Sequence, residues 1–332
     1  MPISFYLWAI PMLEREYRGL FVVGDPHLAS RVPGFRRDDY PQVILRKLEW
    51  CLDYARAHRL LPAILGDFFH WPRDNANWLL GRLLELLGDE VLGEVLGICG
   101  NHDSTENQLG EDDSLMVIVR SGRLRLLDRT GPWAGRMGGR PVLVGGTSWG
   151  QRLPESFNPE RPPEDKTPIV FWLAHHDVSF PGYEENGRFR PFPIPGIDAV
   201  INGHIHRALE DMVAGETTWL NPGNIARIAR SDLTRSHVPS ALRIDVDGLG
   251  WRKERVEVPH DPFEAVFHPE LVLDAVEAKE SSFVRGLADL VARRTQSGAG
   301  LMEFLAKNLP QFDERVATEV VILAKAVLSN EN

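Results

Sequence analysis

Five short apolar runs in this chain each lead into a cluster of histidine, aspartate or asparagine. Leu20 to Gly24 runs into Asp25-Pro26-His27, Leu61 to Leu65 into Gly66-Asp67-Phe68-Phe69-His70, and Val95 to Cys99 into Gly100-Asn101-His102-Asp103. Ile169 to Ala174 runs into His175-His176, and Ile197 to Ile201 into Asn202-Gly203-His204-Ile205-His206. Apolar runs of about four to eight residues have the length of buried strands. In an α/β fold the carboxyl ends of neighbouring strands share one edge, where ligands bind. The pattern therefore predicts that five polar clusters, distant in sequence, converge.

Helical periodicity fills the gaps from about Val43 to His58 and from about Trp78 to Leu87, giving a βαβαβ beginning. Later apolar runs at Pro141 to Gly145, Thr217 to Leu220, Ala241 to Val246 and Arg252 to Val258 add strands with less helix between them. The expected fold is α/β, a layered sandwich of two sheets flanked by helices. With 332 residues, 43% of them apolar, the chain can bury a substantial core. Residues 20–260 are assigned to this domain, 1–19 to an N-terminal extension and 261–332 to a C-terminal helical region.

The opening residues are apolar but lack the basic start and small-residue cleavage site of a secretory signal, and read as an extra strand or a docking arm. Near the other end, Phe283, Leu287, Leu290 and Val291 share one helical face, as do Val316, Val320, Leu323 and Val327. These helices either pack back onto the parent sheet or form a small module that docks a partner. Pro154 to Pro168 reads as a loop.

Seven of the 11 histidines lie in the strand-end clusters. Imidazole with carboxylate suits zinc, manganese, iron or nickel, and the absence of cysteine there argues for a catalytic rather than a structural site. Cys51 and Cys99 are far apart in apolar stretches, so a reducing cytoplasm is expected. The net charge of −10 argues against a broad basic surface, though two divalent ions would make one cleft locally cationic. No apolar run approaches the roughly 20 residues of a membrane span.

Asp-x-His, Gly-Asp-x-x-His, Gly-Asn-His-Asp, a strand-end His and Gly-His-x-His, in this order over residues 25–206, resemble the signature of the calcineurin-like metallophosphoesterases. The resemblance implies one divalent metal on Asp25, His27, Asp67 and His206, and a second on Asp67, Asn101, His175 and His204, with Asp67 bridging. His175 and His176 compete for one position, and His175, directly after the strand, is the expected ligand. Manganese is the expected metal, with iron, zinc and nickel as alternatives. Two such ions, about 3.5 to 4 Å apart, hold a hydroxide for in-line attack on phosphorus. The resemblance assigns protonation of the leaving oxygen to His102. Asp103 either orients that imidazole or stabilises its loop, and His70 supports the site rather than binding metal directly.

Gly34 to Tyr40 and the turn Asn221-Pro222-Gly223-Asn224 resemble segments of the SbcD-type double-strand-break repair exonucleases, although Asn224 stands where that branch carries serine. This implies a DNA-acting phosphodiesterase, with DNA as substrate and an SbcC-like ATPase as a possible partner. Arg36 and Arg37 are the expected phosphate contacts, with Arg31, Arg207, Arg227, Arg230 and Arg235 as further candidates. The alternatives are a phosphatase or cyclic-nucleotide phosphodiesterase acting on small esters, and a non-catalytic binding module, which the intact ligand positions disfavour.

Overall fold

Along β1 (Gly19–Val23) the side chains alternate between two core layers: Leu20 and Val22 enter one, Phe21 and Val23 the other. All five residues are buried, because a strand covered on both faces has no solvent side. The computed structural model describes residues 16–88, 93–106, 108–159, 167–184 and 187–268, with Leu305 and Val321. The chain divides into two compact units, Met1–His268 and Pro269–Asn332, and every strand below lies in the first. Most of the N-terminal extension and the two C-terminal helical patterns lie outside the described residues.

After β1 come α1 (Tyr40–His58), β2 (Leu60–Ile64), α2 (Asn77–Leu86), β3 (Leu96–Gly97), α3 (Ser114–Arg120), β4 (Arg125–Leu126) and α4 (Leu127–Thr130). Then follow β5 (Trp133–Met137), β6 (Arg140–Thr147), β7 (Ile169–Ala174), β8 (Ala199–Asn202), β9 (Met212–Ala214) and β10 (Thr217–Leu220). α5 (Asp232–Ser236), β11 (Ser240–Asp247), β12 (Gly250–Glu257) and α6 (Phe263–Val266) complete the unit.

The strands form two six-stranded sheets, ordered β12-β11-β1-β2-β3-β4 and β5-β6-β7-β8-β10-β9. β1 to β4 run parallel, as do β6, β7, β8 and β10, while the outer strands β11, β12, β5 and β9 pair antiparallel. Leu20, Val22, Leu61, Ala63, Val142, Val144, Phe171, Leu173 and Ile201 fill the layer between the sheets. Ile44, Leu48, Cys51, Leu52 and Ala55 of α1 cover the outer face of the first sheet, at the spacing of one helical stripe. α1 begins three residues earlier than its apolar pattern, since Pro41 sits in the first turn, where a missing N–H costs nothing. It ends at Arg59, which takes the left-handed φ of 54°. This two-sheet α/β sandwich is the expected fold. Among the described residues no helix is long and apolar enough to cross a membrane.

Candidate metal centre

The strand-end loops leave the sheets in conformations that L-residues rarely adopt. Asp25, His27, Asp67 and His204 have φ of 34°, 48°, 44° and 70°, four of the six positive values among described non-glycine residues. Such geometry costs about 1–3 kcal/mol per residue and persists where surrounding bonds enforce it. Here the first two loops are zipped together. The His27 N–H donates to the Asp67 carbonyl (2.9 Å), Leu28 N–H to Phe68 (2.8 Å) and His70 N–H to Leu28 (2.9 Å). The Tyr40 hydroxyl, at the start of α1, donates to the His27 carbonyl at 2.9 Å. Gly100 is required by proximity: a Cβ there would lie 2.2 Å from Asp67 Oδ1.

The loop carrying His204 and His206 is braced by two buried amides. Asn221 Nδ2 donates to the carbonyls of Ile205 (3.0 Å) and Arg207 (2.8 Å), and Asn202 Nδ2 to those of Gly203 (2.6 Å) and His176 (3.0 Å). Neither asparagine stands out in sequence as a brace.

The donor atoms gather into groups whose members lie within 4.8 Å of one another: His27, Asp67 and His206; Asp67, His175 and His204. Asp67 Oδ2 is 3.5 Å from both His27 Nε2 and His175 Nε2, so one carboxylate oxygen serves both groups. His27 Nε2 lies 3.0 Å from His206 Nε2. Asn101 Oδ1 lies 3.1 Å from His175 Nε2 and 3.0 Å from His204 Nδ1, which places it in the second group. Atoms held about 2.1 Å from one ion in octahedral or tetrahedral geometry are about 3.0–3.4 Å apart. The His27–His206 and Asn101 spacings fall in this range, and the two Asp67 spacings lie about 0.1 Å beyond it. His27, His70 and His102 form a third group within the same limit. It shares His27 with the first and brings no carboxylate to offset a cation, so the first group is the better site.

Charge points the same way. Asp25 is fully buried, its Oδ2 has no hydrogen-bond partner, and burial, reinforced by Asp67 against the opposing pull of His175, pushes its carboxyl up to about 7. Asp67 is also buried, but His175, His102 and His27 hold it well below the usual carboxylate range. Burial holds His27 well below its ordinary value, hence neutral and able to ligate. Burial opposes charge on His175 too, yet Asp67, Asp25 and the Leu65 carbonyl push it up to about 9. The same carboxylates that favour charge on His175 would favour a divalent cation beside it. Its Nδ1 donates to the Leu65 carbonyl at 2.6 Å, which turns Nε2 toward Asn101 and Asp67. The residues fit divalent cations.

The structure brings together His27, Asp67 and His206, and beside them Asp67, Asn101, His175 and His204; Asp25 lies outside both donor groups, its Oδ1 3.5 Å from His175 Nδ1 and accepting the His204 N–H at 3.2 Å. His176 faces away: its N–H donates to Asn202 Oδ1, and its ring lies 6.2 Å from that of Phe189. His102 sits 4.9 Å from His27, ring centre to ring centre. Its Nδ1 donates to the His70 carbonyl at 2.9 Å. The His70 ring stacks near-parallel on it, 5.5 Å away at 14°. His70 therefore supports His102 through its backbone and ring.

Of the two roles open to Asp103, its contacts fit the loop: its carboxylate accepts the N–H groups of Phe69 (3.0 Å) and Gly100 (2.9 Å). One expectation is corrected. Arg36 is not a phosphate contact, because it is 6% exposed. Its guanidinium is held by Asp38 and the Arg227 carbonyl and lies over the rings of Tyr40 and Phe267. Arg37 is exposed, with its Nε donating to the Ala265 carbonyl at 2.9 Å. Arg227 is likewise buried, bonded to the carbonyls of His237 and Asp261. Sequence reading also missed Asp177 and Trp149, which contact His204.

Buried carboxylates facing imidazoles at ligand spacing place the protein among the metal-dependent hydrolases of the α/β sandwich class. More particularly, the chain belongs to the calcineurin-like phosphoesterases, whose family model matches residues 20–208. Similar solved structures include a hypothetical protein from Thermus thermophilus (15% identity, 72% of this chain and 99% of that one, TM-score 0.38). Others are a conserved uncharacterized protein, described as a predicted phosphoesterase, from Streptococcus pneumoniae (12%, 75% and 94%, 0.33) and a Vps29 double mutant from Entamoeba histolytica (17%, 72% and 99%, 0.29). Comparison with curated proteins gave no match.

Proposed function

We propose that the chain is a dinuclear phosphodiesterase that cleaves DNA, with His102 protonating the leaving oxygen. The observation that carries the reading is the fixed tautomer of His102. A carbonyl can only accept, so the proton shared with His70 sits on Nδ1, leaving Nε2 to give or take a proton beside His27. When bound, divalent ions supply a nucleophile at neutral pH and neutralise the phosphate oxygens. Manganese suits a donor set of imidazole, carboxylate and amide oxygen without thiolate. DNA as substrate is supported by two arginines over tryptophans on either side of the histidines. Arg31 lies 4.6 Å from the Trp71 ring, next to His70, and Arg188 5.6 Å from the Trp149 ring, next to His204. Cation and aromatic surface together are what unpaired nucleic-acid strands use.

The burial of Arg36 and Arg227 favours a second reading, hydrolysis of a small phosphoester, because it shortens the basic path a polymer would follow. The purified chain with manganese, assayed on single- and double-stranded DNA, a cyclic nucleotide and a nitrophenyl diester, separates the two. Cleavage of DNA should fall with added salt, and Arg31→Glu should lower the DNA rate and reduce the salt slope by about 1 while sparing the nitrophenyl diester. No DNA cleavage by the parent with any divalent metal selects the small-ester reading.

A further inference from the structure

We propose that Asp177 is a positioning residue for His204, and that with Trp149 and Arg188 it forms a cage that turns His204 Nδ1 toward Asn101 and Asp67. The inference rests on the metal-site reading above.

His204 is contacted at both ring nitrogens and on one ring face. Its Nε2 lies 2.6 Å from Asp177 Oδ1. A carboxylate can only accept, so Nε2 carries a proton, and Nδ1 is left facing Asn101 Oδ1, 3.0 Å away, the spacing of two donors to one ion. The Trp149 ring stacks on the imidazole at 4.8 Å and 30°. Arg188 closes the cage: its Nε is 2.8 Å from Asp177 Oδ2, and its guanidinium lies over Trp149.

The backbone fixes these side chains independently of His204. Arg188 N–H donates to the Asp177 carbonyl and Ser179 N–H to that of Phe189, both at 2.8 Å, so Asp177 and Arg188 face each other across a small ladder. Trp149 N–H donates to the Cys99 carbonyl at 2.9 Å, which ties the cage to the loop that carries Asn101. The Asp177 side chain is only 13% exposed, unlike the solvated partner of a surface ion pair, whereas that of Arg188 is 74% exposed. His175 and His102 are oriented by neutral carbonyls, of Leu65 and His70. His204 has a charged acceptor instead, and a carboxylate behind a ligating imidazole fixes its tautomer and strengthens it as a donor.

The full chain, stripped of metal and titrated with manganese by calorimetry, tests the proposal. Asp177→Ala should weaken one of two binding events by about 10- to 100-fold and leave the other within about twofold. The metal-free melting temperature should fall by only a few degrees, the cost of the lost ion pairs. Arg188→Ala, which removes an exposed partner, should weaken the same event by far less. In the metal-free parent, a hydrogen-bonded His204 Nε2–H should be visible by nitrogen-15 NMR and disappear in Asp177→Ala. If the alanine variant does not fold, the near-isosteric Asp177→Asn takes its place and should show an intermediate loss at the same event. Parent-like affinity for both ions in the variant, equal loss of both, or absence of the Nε2–H signal from the parent overturns the cage. A parent that binds fewer than two ions instead contradicts the metal-site reading, and the NMR signal then decides the cage alone.

Discussion

His102 shows how a backbone atom sets the chemistry of a side chain. The Gly-Asn-His-Asp motif makes His102 legible in sequence, but what orients it is the carbonyl of His70, and carbonyls carry no sequence signal because every residue has one. Asp103 is the natural partner by position, yet two backbone N–H groups occupy it. Arg36 misleads for a related reason: sequence shows charge, whereas burial against Tyr40 and Phe267 emerges only in the fold. If His102 acts as the acid, His102→Ala should keep both metals. It should lose about 10²- to 10⁴-fold in rate on substrates with basic alkoxide leaving groups and far less on a nitrophenyl diester. Steady-state rates on the two substrate types, with metal content measured alongside, check this; equal losses point to phosphate positioning instead.

At the scale of elements, the central strands and α1 were legible because strands buried on both faces read as continuous apolar runs and α1 repeats with a helical period. α3, β4, α4 and β5 were not. β4 is two residues long, and the acidic run Glu111 to Asp113 before α3 resembles a loop. Asp113 instead accepts hydrogen bonds from the Gly110 N–H, Arg73 and Thr105. Lys47 is a further surprise: on the buried face of α1, its Nζ donates to the Ile225 carbonyl at 2.9 Å. Burial, with Arg36 and Arg227 nearby, pushes its ammonium down to about 7. The unfolded chain, where lysine titrates near about 10.4, binds the extra proton between these values, so this group makes stability rise with pH over that window. Lys47→Met should therefore be more stable than the parent at pH 7, by about 2 kcal/mol after the lost hydrogen bond is set against the relieved burial. That advantage should vanish or reverse by about pH 10, where the lysine is neutral in the folded chain and close to its midpoint in the unfolded one. Urea midpoints at the two pH values measure it, and an unchanged gap contradicts it.

The whole molecule is needed to make the centre. Asp25, His27, Asp67 and Asn101 follow strands of the first sheet, and His175, His204 and His206 follow strands of the second. Neither sheet alone supplies both groups. Convergence at one edge was legible because every cluster follows a strand, whereas the braces Asn202 and Asn221 and the contacts of Asp177 depend on how loops from both sheets meet. Asp67 is the residue on which both groups depend: Oδ1 accepts the His102 N–H at 2.8 Å, while Oδ2 faces His27 and His175. The most direct measurement is metal content after dialysis, by elemental analysis, in the parent and in Asp67→Asn. Two ions per chain are expected in the parent, and close to none in the variant, with affinity for both reduced at least about 100-fold, since a shared ligand should matter more than an outer partner. Two tightly held ions in Asp67→Asn would contradict a carboxylate shared between the sites.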